Sequence, residues 1–149
     1  MTILAPVALV LARNPDNGLI LAVSRPGKPN DLGLPGARVD AGQDMADAAK
    51  LGFERETGAK LLDCKWAWMG TAGRSIADGR QVHLFNATAW QGEPRGGRAG
   101  VRVVWVNEGR LSEARCSYAG FYLAMFNRLR ELKLLPQFDA GIDPVAPAR

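Results

Sequence analysis

Residues 34–59, LPGARVDAGQDMADAAKLGFERETGA, admit one regular structure over most of their length. Asp44 is an acid suited to cap a helix or sit in its first turn, where it faces the free backbone N–H groups. Met45, Ala48, Ala49, Gly52 and Phe53 then recur at helical spacing and make one apolar stripe. Gly58 stops the helix, because a left-handed residue closes its last turn and glycine adopts that conformation without a Cβ clash. Ahead of the helix, Pro35-Gly36 shape a turn that lets backbone approach a ligand. The glycine spacing of GLPGARVDAG does not match a dinucleotide-binding fingerprint, and it follows a long loop rather than a first strand.

The rest of the chain is organised around strands. Asn17-Gly18 tolerate positive φ and predict a hairpin between PVALVLAR and LILAVSR. Residues 25–33, RPGKPNDLG, read as a loop. KLLDCKWAWMGTA, RQVHLFNATAW and VRVVWVN read as strands, with GRSIADG and EPRGGRAG as loops between them. A second helix is expected over 117–132, with Phe121, Leu123, Ala124, Phe126 and Leu129 toward the core. The predicted fold class is α/β, an α/β/α sandwich with a mixed sheet and a helix on each face. The expected organisation is one domain over 1–135 and a loosely ordered Pro/Gly/Ala-rich tail over 136–149.

Composition bounds the function class. At 149 residues, 47% hydrophobic and 23% charged, the chain reads as one globular domain. A net charge of +4 favours anionic partners without choosing one. The basic residues are too few for a nucleic-acid surface, although Arg95, Arg98 and Arg102 make a basic loop able to steer an anion. Two cysteines, Cys64 and Cys116, make neither a disulfide framework nor a zinc site, and read as reduced thiols in a cytoplasmic protein. The apolar start lacks the basic region of a signal peptide, and no run is long enough for a membrane helix.

The 34–59 stretch resembles the Nudix box, G-x5-E-x7-R-E-U-x-E-E-x-G-U with U apolar. Ala37 takes the opening glycine's place and Gln43 that of the first glutamate. Leu51-Gly52 replace Arg-Glu, Phe53 is the apolar position, Arg55-Glu56 replace Glu-Glu, and Gly58-Ala59 close the box. The resemblance covers residues 3 to 133. It implies a Nudix fold, a nucleotide or diphosphate ligand, and metal-assisted hydrolysis with Mg²⁺ or Mn²⁺ where activity is retained. No membrane partner is implied. A homodimer, common in the family, is compatible.

Hard divalent cations need several oxygen ligands. The resemblance implies that positions 52, 55 and 56 would supply them, and only Glu56 is still a carboxylate. The arginine-rich loop before VVWV contains no acid that would replace the family's additional glutamate. Gly52 offers no donor, and Arg55 puts a fixed positive charge beside the site. At about 4 Å and an effective dielectric near 20, its repulsion of a dication is on the order of several kcal/mol. Three functions are compatible with this exchange. The pocket binds a nucleotide or small anion without metal, with phosphate contacts from Arg55, Arg38 and Arg25. Alternatively, hydrolysis persists with ligands relocated among Asp40, Asp44, Asp47, Glu54 and Glu56. In the third, the domain is a protein-interaction module with a vestigial pocket. Glu56 is the expected residual metal ligand, and Glu56 and Gln43 are the expected catalytic residues. Trp66 and Trp68, two apart on a strand, are expected on one face, either stacking on a base or packing in the core. His83 reads as a strand histidine satisfied by a neighbour or by water. Returning glutamate to positions 52 and 55 is expected to recover metal binding.

Overall fold

The structure is a computed structural model that describes residues 4–72 and 79–135. The expected tail and most of the loop after Ala72 lie outside the described residues. In chain order the strands are β1 (Val7–Leu11), β2 (Ile20–Arg25), β3 (Lys28–Gly33), β4 (Gly36–Arg38), β5 (Lys60–Ala72), β6 (Arg80–Gln91) and β7 (Val103–Val106). Helix α1 (Met45–Thr57) follows β4, a 3-10 turn (Glu108–Ser112) follows β7, and α2 (Ala119–Glu131) comes last.

The strands form two sheets. One has the order β4-β1-β6-β5 and is mixed, since β1 runs parallel to β6 and antiparallel to β4. The other, β3-β2-β7, is antiparallel. The predicted Asn17-Gly18 turn forms, with Gly18 at φ 76°, but it does not make a hairpin. After the Arg13–Ile20 bridge and the Leu21 N–H bond to Ala12, β1 and β2 part into different sheets. β2 can do this because it is apolar on both faces: Ile20 and Ala22 join one core cluster, Leu21 the other. The 25–33 segment is also not a loop. Gly27, at φ 74°, turns the chain and β3 returns along β2.

Two clusters form the core. Leu9, Leu11, Val82 and Leu84 pack toward α2, while Ala8, Val10, Leu61 and Phe85 pack toward α1. That arrangement is the α/β/α sandwich, built on two adjoining sheets. α1 keeps its predicted stripe of Ala48, Ala49, Gly52 and Phe53, its Asp44 cap and its left-handed Gly58. α2 is rotated from the expected phase. It buries Tyr122, Met125, Phe126 and Leu129, and leaves Ala124 exposed and Leu123 54% exposed. The observed stripe has the i, i+3, i+4, i+7 spacing, and the Tyr122 hydroxyl pins it by accepting the Leu34 N–H at 2.9 Å.

Candidate functional site

The Leu34-Pro35-Gly36 segment is held from three elements. The Leu34 N–H donates to Tyr122 of α2, the Pro35 carbonyl accepts the Val10 N–H at 2.8 Å, and the Gly36 N–H donates to Glu56 Oε1 at 2.9 Å. At Gly52 the helix puts no side chain between itself and β4. A Cβ at Gly52 would lie 2.5 Å from the Gly36 carbonyl oxygen and 2.8 Å from the Ala37 Cβ. Gly52 is therefore a packing residue that brings the helix onto the strand. One turn later on the same helix face, Glu56 reaches the strand's N–H.

That contact defines the electrostatics. Burial pushes the Glu56 carboxyl above the ordinary carboxylate range, while the Gly36 N–H and the charges of Arg55 and Arg98 pull it partly back. Tyr122 is buried; desolvation, and behind it the Glu56 charge, drives its phenol far up. Arg98 arrives from the loop before β7, which docks on the C-terminal end of α1. The Arg95 and Gly96 N–H groups donate to the Thr57 carbonyl, and the Gly97 N–H donates to the Glu56 carbonyl. A Cβ at Gly97 would sit 2.6 Å from the Arg55 carbonyl oxygen, so the approach requires glycine. From sequence this loop read only as a basic patch; its Gly96-Gly97 pair was the available signal of close backbone approach.

The other expected site residues are placed as follows. Gln43 closes the turn before α1, its Oε1 accepting the Asp40 N–H at 3.0 Å. Asp44 caps α1 by accepting the Asp47 N–H. Arg38 is exposed on β4, paired in register with Val7. Arg25 donates to Ser117 Oγ at 3.3 Å and lies 3.9 Å from Asp31, at the start of α2. Trp66 and Trp68 do not share a face. A bulge at Ala67 shifts the register, so Trp66 lies opposite Phe85 and Trp68 opposite Leu84. Consecutive partners point to opposite sides, and Trp68 packs against Phe121 with ring centroids 6.2 Å apart. Trp66 is 56% exposed, and its indole N–H donates to His83 Nδ1 at 3.1 Å. His83 itself is buried, and burial lowers its pKa.

The donor set does not fit a divalent cation. Among the described residues, no group of three or more His, Cys, Asp or Glu side chains is placed to hold one. Glu56, the one carboxylate left in the box positions, already binds a backbone N–H. A separate apolar cleft of about 510 Å³, walled by Trp66, Trp68, Met69, Leu132 and Leu134, contains none of the box residues. Among the described residues, no helix is long and apolar enough to cross a membrane.

No protein-family model and no curated protein matches the chain. Solved structures do. The MutT protein from Methanosarcina mazei is 15% identical with a TM-score of 0.67, over 87% of this chain and 97% of that one. A MutT NUDIX hydrolase from Burkholderia pseudomallei is 18% identical with a TM-score of 0.64, over 80% and 95%. The mutator MutT protein from Bacillus halodurans is 18% identical with a TM-score of 0.64, over 85% and 82%. With its helix seated on β4 and its strands divided between a mixed and an antiparallel sheet, the chain has the Nudix fold.

Proposed function

We propose that this chain binds a nucleoside diphosphate derivative or related small anion, and that metal-dependent pyrophosphate hydrolysis is weak or lost. One observation carries the reading: Glu56 accepts the Gly36 N–H from a half-buried position, and the neighbouring box position is a glycine packed against backbone. Water attack on a diphosphate assisted by Mg²⁺ needs several oxygens around the ion, and of positions 52, 55 and 56 only Glu56 offers a carboxylate. Arg55 is next to it in the chain, Arg98 belongs to the loop docked on this end of α1, and both charges act on that carboxylate. Guanidinium groups meet phosphate oxygens in paired, charge-assisted hydrogen bonds, so the local chemistry favours an anion over a cation. The setting we propose is cytoplasmic, with a small-molecule ligand.

The test is a panel of nucleoside diphosphate derivatives with and without Mg²⁺ or Mn²⁺, read by product release and by thermal shift. Binding predicts stabilisation without metal, about 2.7 kcal/mol when ligand reaches 100 times Kd. Metal-dependent turnover abolished by Glu56→Gln would instead establish a hydrolase. Neither turnover nor stabilisation would favour an interaction module.

A further inference from the structure

We infer that the cleft between β5 and the end of α2 is a binding site in its own right, and that it takes a small flat aromatic molecule bearing one anionic group. The cleft shares no residue with the α1–β4 corner, so the assignment does not rest on the function proposed there.

The apolar walls are held in place although water reaches them. Trp66, Met69, Leu132 and Leu134 are all exposed. Trp66 is anchored, because its indole N–H donates to Nδ1 of the buried His83 at 3.1 Å. Trp68 lies across Gly70, where a Cβ would collide with the indole, and it packs on Phe121 of α2. At the other wall the chain doubles back after α2. Lys133 is left-handed at φ 58°, so the Leu134 N–H reaches the Leu129 carbonyl at 2.8 Å and the Lys133 N–H reaches that of Arg130 at 3.1 Å. This closure fixes where the Leu132 and Leu134 side chains begin. β5 is the outer strand of its sheet, and the bulge at Ala67 separates the two tryptophans, so residues from both faces of the strand line one opening.

The lining selects the chemistry of the ligand. Two indoles and a thioether favour an aromatic ring over an aliphatic chain, through stacking and sulfur–aromatic contact. Among the described residues, Arg128 is the one charged side chain on the cleft, and no acid lines it. Its guanidinium meets Glu131 at 3.1 Å, but both partners are exposed, and such a pair holds weakly. A carboxylate or sulfonate at the rim can therefore take the guanidinium while the ring lies against the indoles. The cleft volume of about 510 Å³ suits a small molecule, whose sites run to roughly 300–1,000 Å³. A lasting protein interface needs about 20–30 residues a side, against the seven that line this cleft.

The probe is anilinonaphthalene sulfonate, titrated into the full chain by calorimetry and by energy transfer from tryptophan. Wild type is expected to bind one molecule per chain and to unfold at a higher temperature with the probe, the mark of a ligand that binds the folded state. Trp66→Ala is expected to weaken binding about tenfold, the loss of one aromatic contact. Arg128→Ala should weaken it about fivefold, the loss of an exposed ion pair. The uncharged phenylnaphthylamine should bind wild type and Arg128→Ala alike. Leu123→Ser changes an exposed leucine of α2 outside the cleft and should keep affinity within about twofold. Several probes per chain, a lowered unfolding temperature, or equal weakening by Trp66→Ala and Leu123→Ser overturns the assignment, because the probe would then report general apolar surface. Arg128→Ala that leaves sulfonate binding unchanged, or weakens both probes equally, overturns the anionic group. A dimer in sedimentation that Trp66→Ala dissociates gives the cleft to a second copy and overturns the small-molecule site. So does an absence of probe binding by wild type, the result if another segment of the chain fills the cleft.

Discussion

The Glu56 carboxylate accepts the backbone N–H of Gly36 at 2.9 Å, and this bond ties α1 to β4. The carboxylate thus completes the hydrogen bonding of a strand. Four consequences of this and neighbouring contacts can be measured.

Removing the carboxylate and removing its charge should differ. Glu56→Ala strands the Gly36 N–H and is expected to cost about 1–3 kcal/mol in denaturant unfolding. Glu56→Gln keeps an acceptor oxygen without a buried charge, and should match or exceed wild type at pH 7. The folded pKa is raised, so this group favours the fold fully below its unfolded value near 4.5, and that contribution is lost as pH rises through the folded pKa. Glu56→Gln should therefore flatten that part of the stability–pH curve. A Gln variant as damaged as the Ala variant would show that the charge itself is needed.

Gly52 should resist even a small side chain. Gly52→Ala gains up to about 1 kcal/mol of helix propensity. It must also fit a Cβ 2.5 Å from the Gly36 carbonyl oxygen, and overpacking of this kind costs about 1–3 kcal/mol. The net expectation is destabilisation, read from the denaturation midpoint. Gly52→Glu should be worse, so the double return to glutamate at 52 and 55 is now expected to disturb the helix rather than recover metal binding. A stabilised Gly52→Ala would mean that the helix stands off the strand.

His83 should make stability sensitive to mild acid. Its pKa is lowered by burial, so stability is fully present above the unfolded value near 6.5 and is lost as pH falls through the folded pKa. Protonated Nδ1 can no longer accept the Trp66 N–H, so tryptophan fluorescence should change over the same range. Measuring His83→Gln beside wild type isolates the effect, and identical acid profiles would remove His83 from the account.

Asp31 should act in the opposite sense to Glu56. Burial alone would raise its pKa, but hydrogen bonds from the Ser117 hydroxyl and N–H, with the charges of Arg25 and Lys28, bring it below its ordinary value. Its contribution is present above pH 3.8 and is lost as pH falls through the lower folded pKa. Asp31→Asn should cost about 1.5–3 kcal/mol at neutral pH, since these are hydrogen bonds to a charged group. Equal urea midpoints for the variant and wild type would contradict this.

The amino-acid sequence determined what depends on near neighbours. The Asp44 cap, the Ala48–Phe53 stripe, the Gly58 stop and the long strands are local, because capping, helical spacing and left-handed backbone act within a few residues. That positions 52 and 55 hold glycine and arginine, where the resemblance implies carboxylates, was legible in the same way. What tertiary structure alone decided depends on residues distant in the chain. Asn17-Gly18 turns the backbone, but whether β1 pairs with β2 is settled by competition from β4, β6 and β7. The faces of Trp66 and Trp68 follow from one bulge against β6, which reverses any count of twos. The partnership of Gly36 with Glu56, and the delivery of Arg98 to that corner, follow from glycines whose missing side chains matter only once another backbone lies against them.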